Sequence, residues 1–364
     1  MSIRETLVKQ IRARAMEPLS QGDVRWQAPS NIALVKYWGK HGVQLPMNPS
    51  ISFTLSACYS DTAIKFKRKS GPSTTVDLTF QFHDQDAPEF AKRIKTYFES
   101  ILDLCPFLTQ YDLAISSSNS FPHSAGIASS ASGFCALALC LTTMEDMLYG
   151  DLDDDEAYRL KASLMARLGS GSASRSVFGQ AAWWGESSIL ANSSDEYSID
   201  CSTLLHPTFQ NFVDDILVVS SDAKSVSSSA GHHLMEFHPY REGRMTQVQR
   251  HLTDMKTALQ TGDTERFGSI VESEALSLHA LMLSSSPGYF LINGRSIKVI
   301  NKIRAFRQST HTPVYFTLDA GPNIHLLYPQ EYSSVVREFI SEELSDEVNK
   351  TIFDKMGTGP VQLD

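Results

Sequence analysis

Alternation of apolar and polar residues in the first part of the chain restricts its fold more than any other feature. The segments SISFTLS at 50–56 and TAIKFK at 62–67 alternate in this way, which is typical of strands with one buried face. The turn-forming sequence KSGPS at 69–73 precedes a similar segment, TVDLTFQF, and predicts a hairpin. Residues 24–82 are therefore predicted to form a largely antiparallel sheet.

Helical spacing of apolar residues begins after this sheet. It predicts a helix at 87–104 and, after a strand at 111–117, a long apolar helix at about 127–148 that ends at Gly150. The acidic run at 151–156 is interpreted as charge that a helix dipole favours at its N-terminus. A metal cluster is the weaker interpretation of that run.

A polar segment at 193–207 separates a second block of elements. The spacing predicts a strand at 214–221 and then three helices and two strands, at 242–259, 263–282, 292–308, 314–318 and 324–328. With a final helix, this order predicts a second α+β sandwich. Because 364 residues exceed the roughly 250–300 that one core supports, we predict two domains, at 23–205 and 206–364.

The first 22 residues are predicted to be an appendage. Ile3, Leu7 and Ile11 have helical spacing among basic residues, a pattern that a transit peptide also shows. Glu5 and Glu17 favour a short surface helix instead.

Composition argues against several classes of protein. The formal net charge of −9 disfavours nucleic acid and anionic membranes as partners, because both need a basic face. No apolar run was expected to reach the roughly 20 residues of a membrane span. The five cysteines are odd in number and form no C-x-x-C, which argues against a disulfide framework or a zinc knuckle and favours the cytoplasm.

The segment SNSFPHSAGIASSASGF at 118–134 has the composition of a phosphate-binding turn. A strand, a proline, small residues and a helix start follow one another, so free backbone N–H groups and the helix dipole can face a polyphosphate. A closely packed Ser/Ala-rich helix explains the same composition equally well. The Walker pattern is absent, and GSGS at 169–172 follows a helix, which weakens a dinucleotide interpretation.

Five motifs in order decide between these alternatives: NIALVKYWGK, LPMNPSISFTLS, FPHSAGIASSASGF, GSGSASRSVFG and TLDAGPN. Together they resemble the mevalonate diphosphate decarboxylases of the GHMP kinase superfamily. The phosphate loop alone indicates the superfamily, whereas KYWGK and SASRS resemble the decarboxylase branch. The resemblance implies a two-domain, GHMP-kinase-like α+β fold, with a ribosomal-protein-S5-like N-terminal domain and a ferredoxin-like α/β sandwich as C-terminal domain.

The resemblance also implies a reaction. ATP phosphorylates the tertiary hydroxyl of mevalonate 5-diphosphate, and loss of phosphate and carbon dioxide then gives isopentenyl diphosphate. The expected cofactors are ATP and Mg²⁺, with the metal carried mainly by ATP phosphates and no metal site in the protein. A cytoplasmic homodimer in the mevalonate pathway of isoprenoid biosynthesis is expected.

Three residues are expected to carry the chemistry. Asp319, after an apolar strand, is expected at the substrate's 3-hydroxyl, whereas without the resemblance an aspartate in a D-x-G turn is the favoured interpretation. Lys36 is expected beside Asp319, because a buried lysine needs a partner; a lysine on a solvated edge strand is the alternative. Arg175 is expected to hold substrate carboxylate or phosphates, with a surface arginine as the alternative.

The remaining site residues also follow from the resemblance. Those expected to bind substrate are Tyr37, Lys40, Ser172, Ser227 and Ser228, and those expected at the ATP phosphates are Gly126, Ala128, Ser129 and Ser130. Trp38 is expected to serve in packing. The histidines His232, His233 and His238 are expected on the surface or in a substrate loop, since adjacent helical side chains diverge by about 100°.

Three departures from the family pattern leave alternatives open. They are Ser229, where some members have arginine, His123, where threonine is common, and Gln180, where glycine is usual. A superfamily kinase that stops after phosphorylation is disfavoured, because relatives of that kind tend to lack part of the set Lys36, Arg175 and Asp319. A decarboxylase of a monophosphorylated mevalonate stays open because of the serine at 229, and a non-catalytic ligand-binding homologue is the weakest alternative.

Overall fold

The computed structural model describes residues 2–13, 18–122, 127–150, 154–220 and 226–363, without the side chains of Ser228 and Ser229. Its strands are β1 (Gln21–Val35), β2 (Lys40–His41), β3 (Leu45–Pro46), β4 (Ser50–Arg68), β5 (Asp77–Phe82), β6 (Gln85–Asp86), β7 (Tyr111–Asn119), β8 (Ala181–Trp184), β9 (Ser198–Asp200), β10 (Phe212–Val218), β11 (Tyr315–Thr317), β12 (Ile324–Pro329), β13 (Lys350–Ile352) and β14 (Val361–Leu363). Its helices are α1 (Ile3–Arg12), α2 (Pro88–Ser100), α3 (Ser129–Tyr149), α4 (Asp155–Gly169), α5 (Ser228–Leu234), α6 (Arg241–Thr261), α7 (Thr264–Leu283), α8 (Gly294–Thr310) and α9 (Ser333–Glu343).

The first sheet has the strand order β14-β1-β4-β7-β5-β6, and β8 and β9 continue it from β4. The long strands β1 and β4 pair antiparallel over most of their length, as the alternating sequence predicts. Inward residues such as Ile64 and Phe66 pack against Leu137 and Leu141 of α3 in one core. By length and composition α3 could cross a membrane, contrary to the expectation from sequence, but 78% of its apolar window is buried inside the structure.

The predicted hairpin between β4 and β5 is wrong. Strand β7 lies between them, antiparallel to β4 and parallel to β5. The alternation of apolar and polar residues along β5 correctly indicates that one face of the strand points inward. It does not determine which strand pairs with β5. β7 has three buried positions, Tyr111, Leu113 and Ile115, whereas β5 has one, Phe80; the more buried strand occupies the more central position.

The second sheet has the order β11-β12-β10-β13, and α6 to α9 pack with it. The predicted strand, three helices, two strands and final helix occur in that order as β10, α6, α7, α8, β11, β12 and α9, and the ends of α6 to α8 lie within two residues of the predicted ones. The prediction missed α5, β13 and β14. The last strand, β14, returns to the first sheet, where Leu363 pairs with Arg25 of β1. The division at 205/206 stays a prediction.

A shared core joins the two sheets. Ile32 of β1 and Phe53 of β4 belong to one buried cluster with Phe212 of β10, Leu252 of α6 and Phe267 of α7. This packing brings the end of β1 against the C-terminal helices. The appendage docks separately, since α1 packs Ile3, Leu7 and Val8 against the core of the first sheet.

Candidate active site

A cavity of about 300 Å³ lies where the two halves meet. It is lined from the first half by residues after β1, by the start of α3 and by the segment after α4, and from the second half by α5, α7 and the turn after β11. Of the predicted site residues, the cavity is lined by Lys36, Tyr37, Lys40, Ala128, Ser130, Ser172, Arg175, Ser227 and Asp319. The structure therefore brings the predicted charged residues to one cavity.

The ammonium group of Lys36 and the carboxylate of Asp319 form an ion pair, with Nζ 2.8 Å from Oδ1. The Lys36 side chain is 3% exposed and that of Asp319 is 28% exposed, so the carboxylate opens to the cavity and the lysine lies behind it. Burial opposes ionisation of Asp319, but the charge and hydrogen bond of Lys36 hold the pKa of this carboxyl below its usual value. Burial lowers the pKa of Lys36, against the attraction of Asp319.

Local structure explains how both residues reach the cavity. β1 ends at Val35, so Lys36 leaves the sheet, and its carbonyl accepts a hydrogen bond from Asn48 Nδ2 at 3.0 Å. Asp319 follows β11, and its carbonyl accepts the N–H of Gly321 at 2.7 Å. The turn that was the alternative interpretation of Asp319 is therefore present, and it directs the side chain into the cavity.

Arg175 is a buried cation, 2% exposed. Its Nη1 donates to Ser50 Oγ at 2.7 Å and its Nη2 to Asn31 Oδ1 at 3.1 Å, while its guanidinium lies 5.6 Å from the ring centre of Tyr37. Within the described ranges no carboxylate lies within ion-pair distance of Arg175. Since a buried charge is costly unless it is paired, this guanidinium is suited to an anion that enters the cavity.

Tyr37 and Lys40 also line this cavity. Burial raises the pKa of Tyr37 to about 12, so the phenol keeps its proton and can donate a hydrogen bond. Burial and the nearby Arg93 lower the pKa of Lys40 to about 8, and its Nζ donates to Gln44 Oε1 at 2.6 Å. Trp38 packs in a buried cluster with Met235, as expected.

Of the two locations predicted for the histidines, the surface is wrong for His232 and His238, which are both buried. His232 lines the cavity, with its ring 4.8 Å from that of Tyr37 and its Nδ1 accepting the N–H of Gly39 at 3.0 Å. Burial lowers its pKa well below the usual value, so the ring is neutral. His238 is buried against the carbonyl of Leu281. In the part of the chain that the structure describes, no three His, Cys, Asp or Glu side chains are grouped to hold a metal.

The start of α3 offers backbone N–H groups to the cavity. Ala128 has the left-handed conformation, with φ 32° and ψ 44°, and no side chain caps the helix that begins at Ser129. Uncapped N–H groups and the dipole favour an anion there.

Gly126 and His123 lie outside the described residues, as does the side chain of Ser228. Ser227 caps α5 by accepting the N–H of Ala230 at 3.2 Å.

A second, smaller cavity of about 90 Å³ adjoins the start of α3. Aromatic side chains form one wall and small residues of α3 another, with lining residues that include Phe80, Phe82, Phe90, Arg93, Ser129, Ser130 and Gly133. Arg93 lines both cavities; its sequence context gives no signal of this, because Lys92 and Lys95 beside it have the same charge. Gln180 lines neither; its φ of 54° explains why glycine suits that position.

These features define the class of protein: an enzyme that binds an anionic small molecule between two α+β domains. Two family models match the chain, described as Diphosphomevalonate decarboxylase-like N-terminal domain over residues 28–196 and Mevalonate 5-diphosphate decarboxylase C-terminal domain over residues 215–362. The chain belongs to the diphosphomevalonate decarboxylase family.

Relatives and solved structures agree with this assignment. Diphosphomevalonate decarboxylase of Debaryomyces hansenii is 32% identical over 321 residues, 85% of this chain and 80% of that protein. Phosphomevalonate decarboxylase of Haloferax volcanii is 27% identical over 85% of this chain and 89% of its own length. Mevalonate diphosphate decarboxylase from Staphylococcus aureus has a TM-score of 0.79 and 28% identity, covering 94% of this chain and 98% of that one.

A further solved structure, described as "MDDEF in complex with MVAPP, AMPPCP and Magnesium", has a TM-score of 0.77 and 28% identity over 94% of this chain and 99% of its own. These neighbours confirm the predicted two-domain α+β fold.

Proposed function

We propose that this chain catalyses the ATP-dependent decarboxylation of mevalonate 5-diphosphate to isopentenyl diphosphate, with ADP, phosphate and carbon dioxide as the other products. The observation that carries the proposal is one cavity that combines the Lys36–Asp319 ion pair with Arg175, a buried cation that has no carboxylate partner in the described ranges. A substrate with a carboxylate, a diphosphate and a tertiary hydroxyl matches these groups.

Asp319 is assigned to the substrate's 3-hydroxyl. As an ionised carboxylate it accepts the hydroxyl proton or orients the oxygen while ATP transfers its γ-phosphoryl group. When the new phosphate leaves, positive charge develops at the tertiary carbon. The electrons of the bond to the departing carbon dioxide then form the double bond, and the nearby carboxylate stabilises the developing cation.

Cations and donors hold the anionic ends of the substrate. Arg175 offers a planar guanidinium to the carboxylate or to phosphate oxygens, and Lys36 offers an ammonium to the phosphoryl group. Tyr37 and Lys40 are assigned to the diphosphate, as a hydroxyl donor and a point charge. Ser172 and Ser227 also line this cavity, whereas the role of Ser228 rests on its motif.

The nucleotide is assigned to the start of α3. Its phosphates lie against the N–H groups that follow Ala128, with Ser129 and Ser130 in reach, and Gly126 is assigned to the same turn from its motif. The aromatic cavity beside Phe80 and Phe90 is suited to a nucleobase, since stacking on an aromatic face accepts any planar base. The γ-phosphate then points toward the substrate cavity.

Mg²⁺ is assigned to the ATP phosphates. It prefers oxygen ligands and keeps several waters, so triphosphate oxygens and water would hold it. Bound there, it would supply charge neutralisation for phosphoryl transfer.

Two finer points are also proposed. A homodimer is expected from the family resemblance, and light scattering of the purified chain tests it. A cytoplasmic location agrees with five buried free cysteines, which a reducing compartment keeps as thiols.

One assay tests the reaction. The purified chain is given ATP, Mg²⁺ and mevalonate with zero, one or two phosphates, and ADP and carbon dioxide are measured together. Equal amounts of both from the diphosphate support the proposal. ADP without carbon dioxide indicates a kinase, and neither product indicates a binding protein. Preference for the monophosphate supports the second candidate, a phosphomevalonate decarboxylase, which the Haloferax volcanii relative favours.

A further inference from the structure

The backbone of Lys36 is held by the C-terminal half of the chain. Its N–H donates to Glu274 Oε2 at 2.8 Å, and its carbonyl accepts from Arg244 Nη2 at 2.7 Å. β1 ends one residue earlier, at Val35. The backbone of Lys36 therefore lies beyond the strand, and the side chains of Glu274 and Arg244 provide hydrogen bonds to it. Two side chains that reach across from α6 and α7 therefore hold both polar groups of this backbone, and Asn48 Nδ2 also donates to the carbonyl, at 3.0 Å.

Glu274 and Arg244 form a tight, buried unit. Arg244 donates to both carboxylate oxygens of Glu274, at 2.7 and 2.6 Å, and His251 Nδ1 lies 2.6 Å from Oε1. The side chains of Glu274 and Arg244 are 0% and 2% exposed. Burial opposes ionisation, but Arg244 and His251 lower the pKa of Glu274 to about 2, so the carboxylate is charged.

The same helix also contacts the backbone of Asp319. His279 Nε2 lies 3.2 Å from the carbonyl oxygen of Asp319, and His279 is buried. Helix α7 thus holds Lys36 through Glu274 and Asp319 through His279. These two contacts fix both members of the ion pair relative to one rigid element.

We propose that Glu274 and His279 are positioning residues that align Lys36 with Asp319 through their backbones, with Arg244 holding Glu274 in place. The inference rests on the proposed function, because it assigns the alignment to the decarboxylation step. A buried ion pair is weak evidence for stability, since apolar side chains of similar volume often replace such pairs without loss. Alignment gives Glu274 and Arg244 a reason to be polar, because only polar groups can hold the N–H of Lys36 and, together with Asn48, its carbonyl.

The test uses variants of the full chain, with turnover, KM and thermal unfolding measured for each. Glu274→Gln is expected to lower kcat by about 10–100-fold, since displacement of a reacting group by about 1 Å has effects of this size. The KM for ATP is expected to stay within about threefold, because the nucleotide lies at α3. Glu272→Gln is the matched control: Glu272 lies on α7 and pairs with Arg304 and Arg307, away from the cavity, so its kcat is expected to be unchanged.

A double variant separates alignment from stability. Glu274→Met combined with Arg244→Met removes both charges, and is expected to unfold at a higher temperature than Glu274→Gln while its kcat stays low. Normal kcat in the double variant overturns the inference. If Glu274→Gln does not fold, two variants of His279 provide the test. His279→Leu is expected to lower kcat, and His279→Gln, which keeps an N–H donor, is expected to retain most of the wild-type kcat. Equal kcat in these two variants overturns the inference.

Crystal structures of the wild-type chain and of the double variant make the result independent of the reaction. The Lys36–Asp319 pair is expected to separate in the variant. An unchanged pair overturns the inference, whereas an inactive wild-type chain with an intact pair overturns only the proposed function.

Discussion

Lys36 and Asp319 form a 2.8 Å ion pair although 283 residues separate them in the chain. Lys36 follows the first strand of one sheet, and Asp319 follows a strand of the other. The pair therefore exists only when the two halves of the chain are docked. Burial of the lysine behind the carboxylate leaves one acidic group facing the cavity.

Asp319→Asn tests the acid of this pair. Asparagine keeps the size of the side chain but neither accepts a proton nor carries charge, so kcat is expected to fall by about 10²–10⁴-fold. Nucleotide affinity is expected to be unchanged, because ATP lies at α3. Calorimetric titration with nucleotide is the control, and near-normal turnover in this variant removes Asp319 from the mechanism.

Arg175→Lys tests the anion site. Lysine keeps the charge but loses the planar fork that the contacts with Asn31 and Ser50 orient. The KM for mevalonate 5-diphosphate is expected to rise by about tenfold or more, from the loss of charge-assisted hydrogen bonds of roughly 1.5–3 kcal/mol each, while the KM for ATP is unchanged. An equal rise in both KM values would show that Arg175 supports the structure of the site and does not bind the substrate anion.

The lowered pKa of Lys40 predicts that substrate binding depends on pH. Its pKa is about 8, so the cation is present below that pH and lost above it. The KM for the diphosphate is expected to rise as the pH increases from 7 to 9. In Lys40→Met the KM is expected to be high throughout and to lose this dependence; a wild-type profile that persists in the variant assigns it to another group.

Replacement of each of two glycines by alanine is expected to change the stability of the protein in opposite directions. A Cβ at Gly268 of α7 meets the ring of Tyr315 at 1.9 Å, whereas one at Gly243 of α6 meets nothing within 4 Å. Gly268→Ala is expected to cost about 1–3 kcal/mol through overpacking, and Gly243→Ala to stabilise the protein by about 0.4–1 kcal/mol. Urea unfolding measures both, and a loss of stability in Gly243→Ala contradicts the helix geometry.

Sequence patterns predicted the elements better than their neighbours. The alternation around Ile64 and Phe66 identified β4, and helical spacing located α6 to α8 to within two residues. Such periodicity reports which face of an element is buried, not what covers it. The misplaced hairpin and the return of β14 to β1 both concern pairing between distant segments, which periodicity does not contain.

The site was predictable where a motif gives a residue its chemistry. Lys36, Arg175 and Asp319 belong to quoted motifs, and all three line one cavity. Glu274 and Arg93 lie on helices with ordinary charge patterns, and only the docking of the two halves brings them to the site. For His232 the sequence left the surface and a substrate loop open, because a histidine on a short helix does not indicate which side of the helix is covered.

A crystal structure with mevalonate 5-diphosphate and a non-hydrolysable ATP analogue tests the central claim most directly. The 3-hydroxyl is expected within hydrogen-bond distance of Asp319, an anionic substrate group on Arg175, and the γ-phosphate between the start of α3 and that hydroxyl. Substrate bound elsewhere, such as the larger open groove of about 940 Å³ between α7 and α8, with no contact to Asp319 or Arg175, would contradict it.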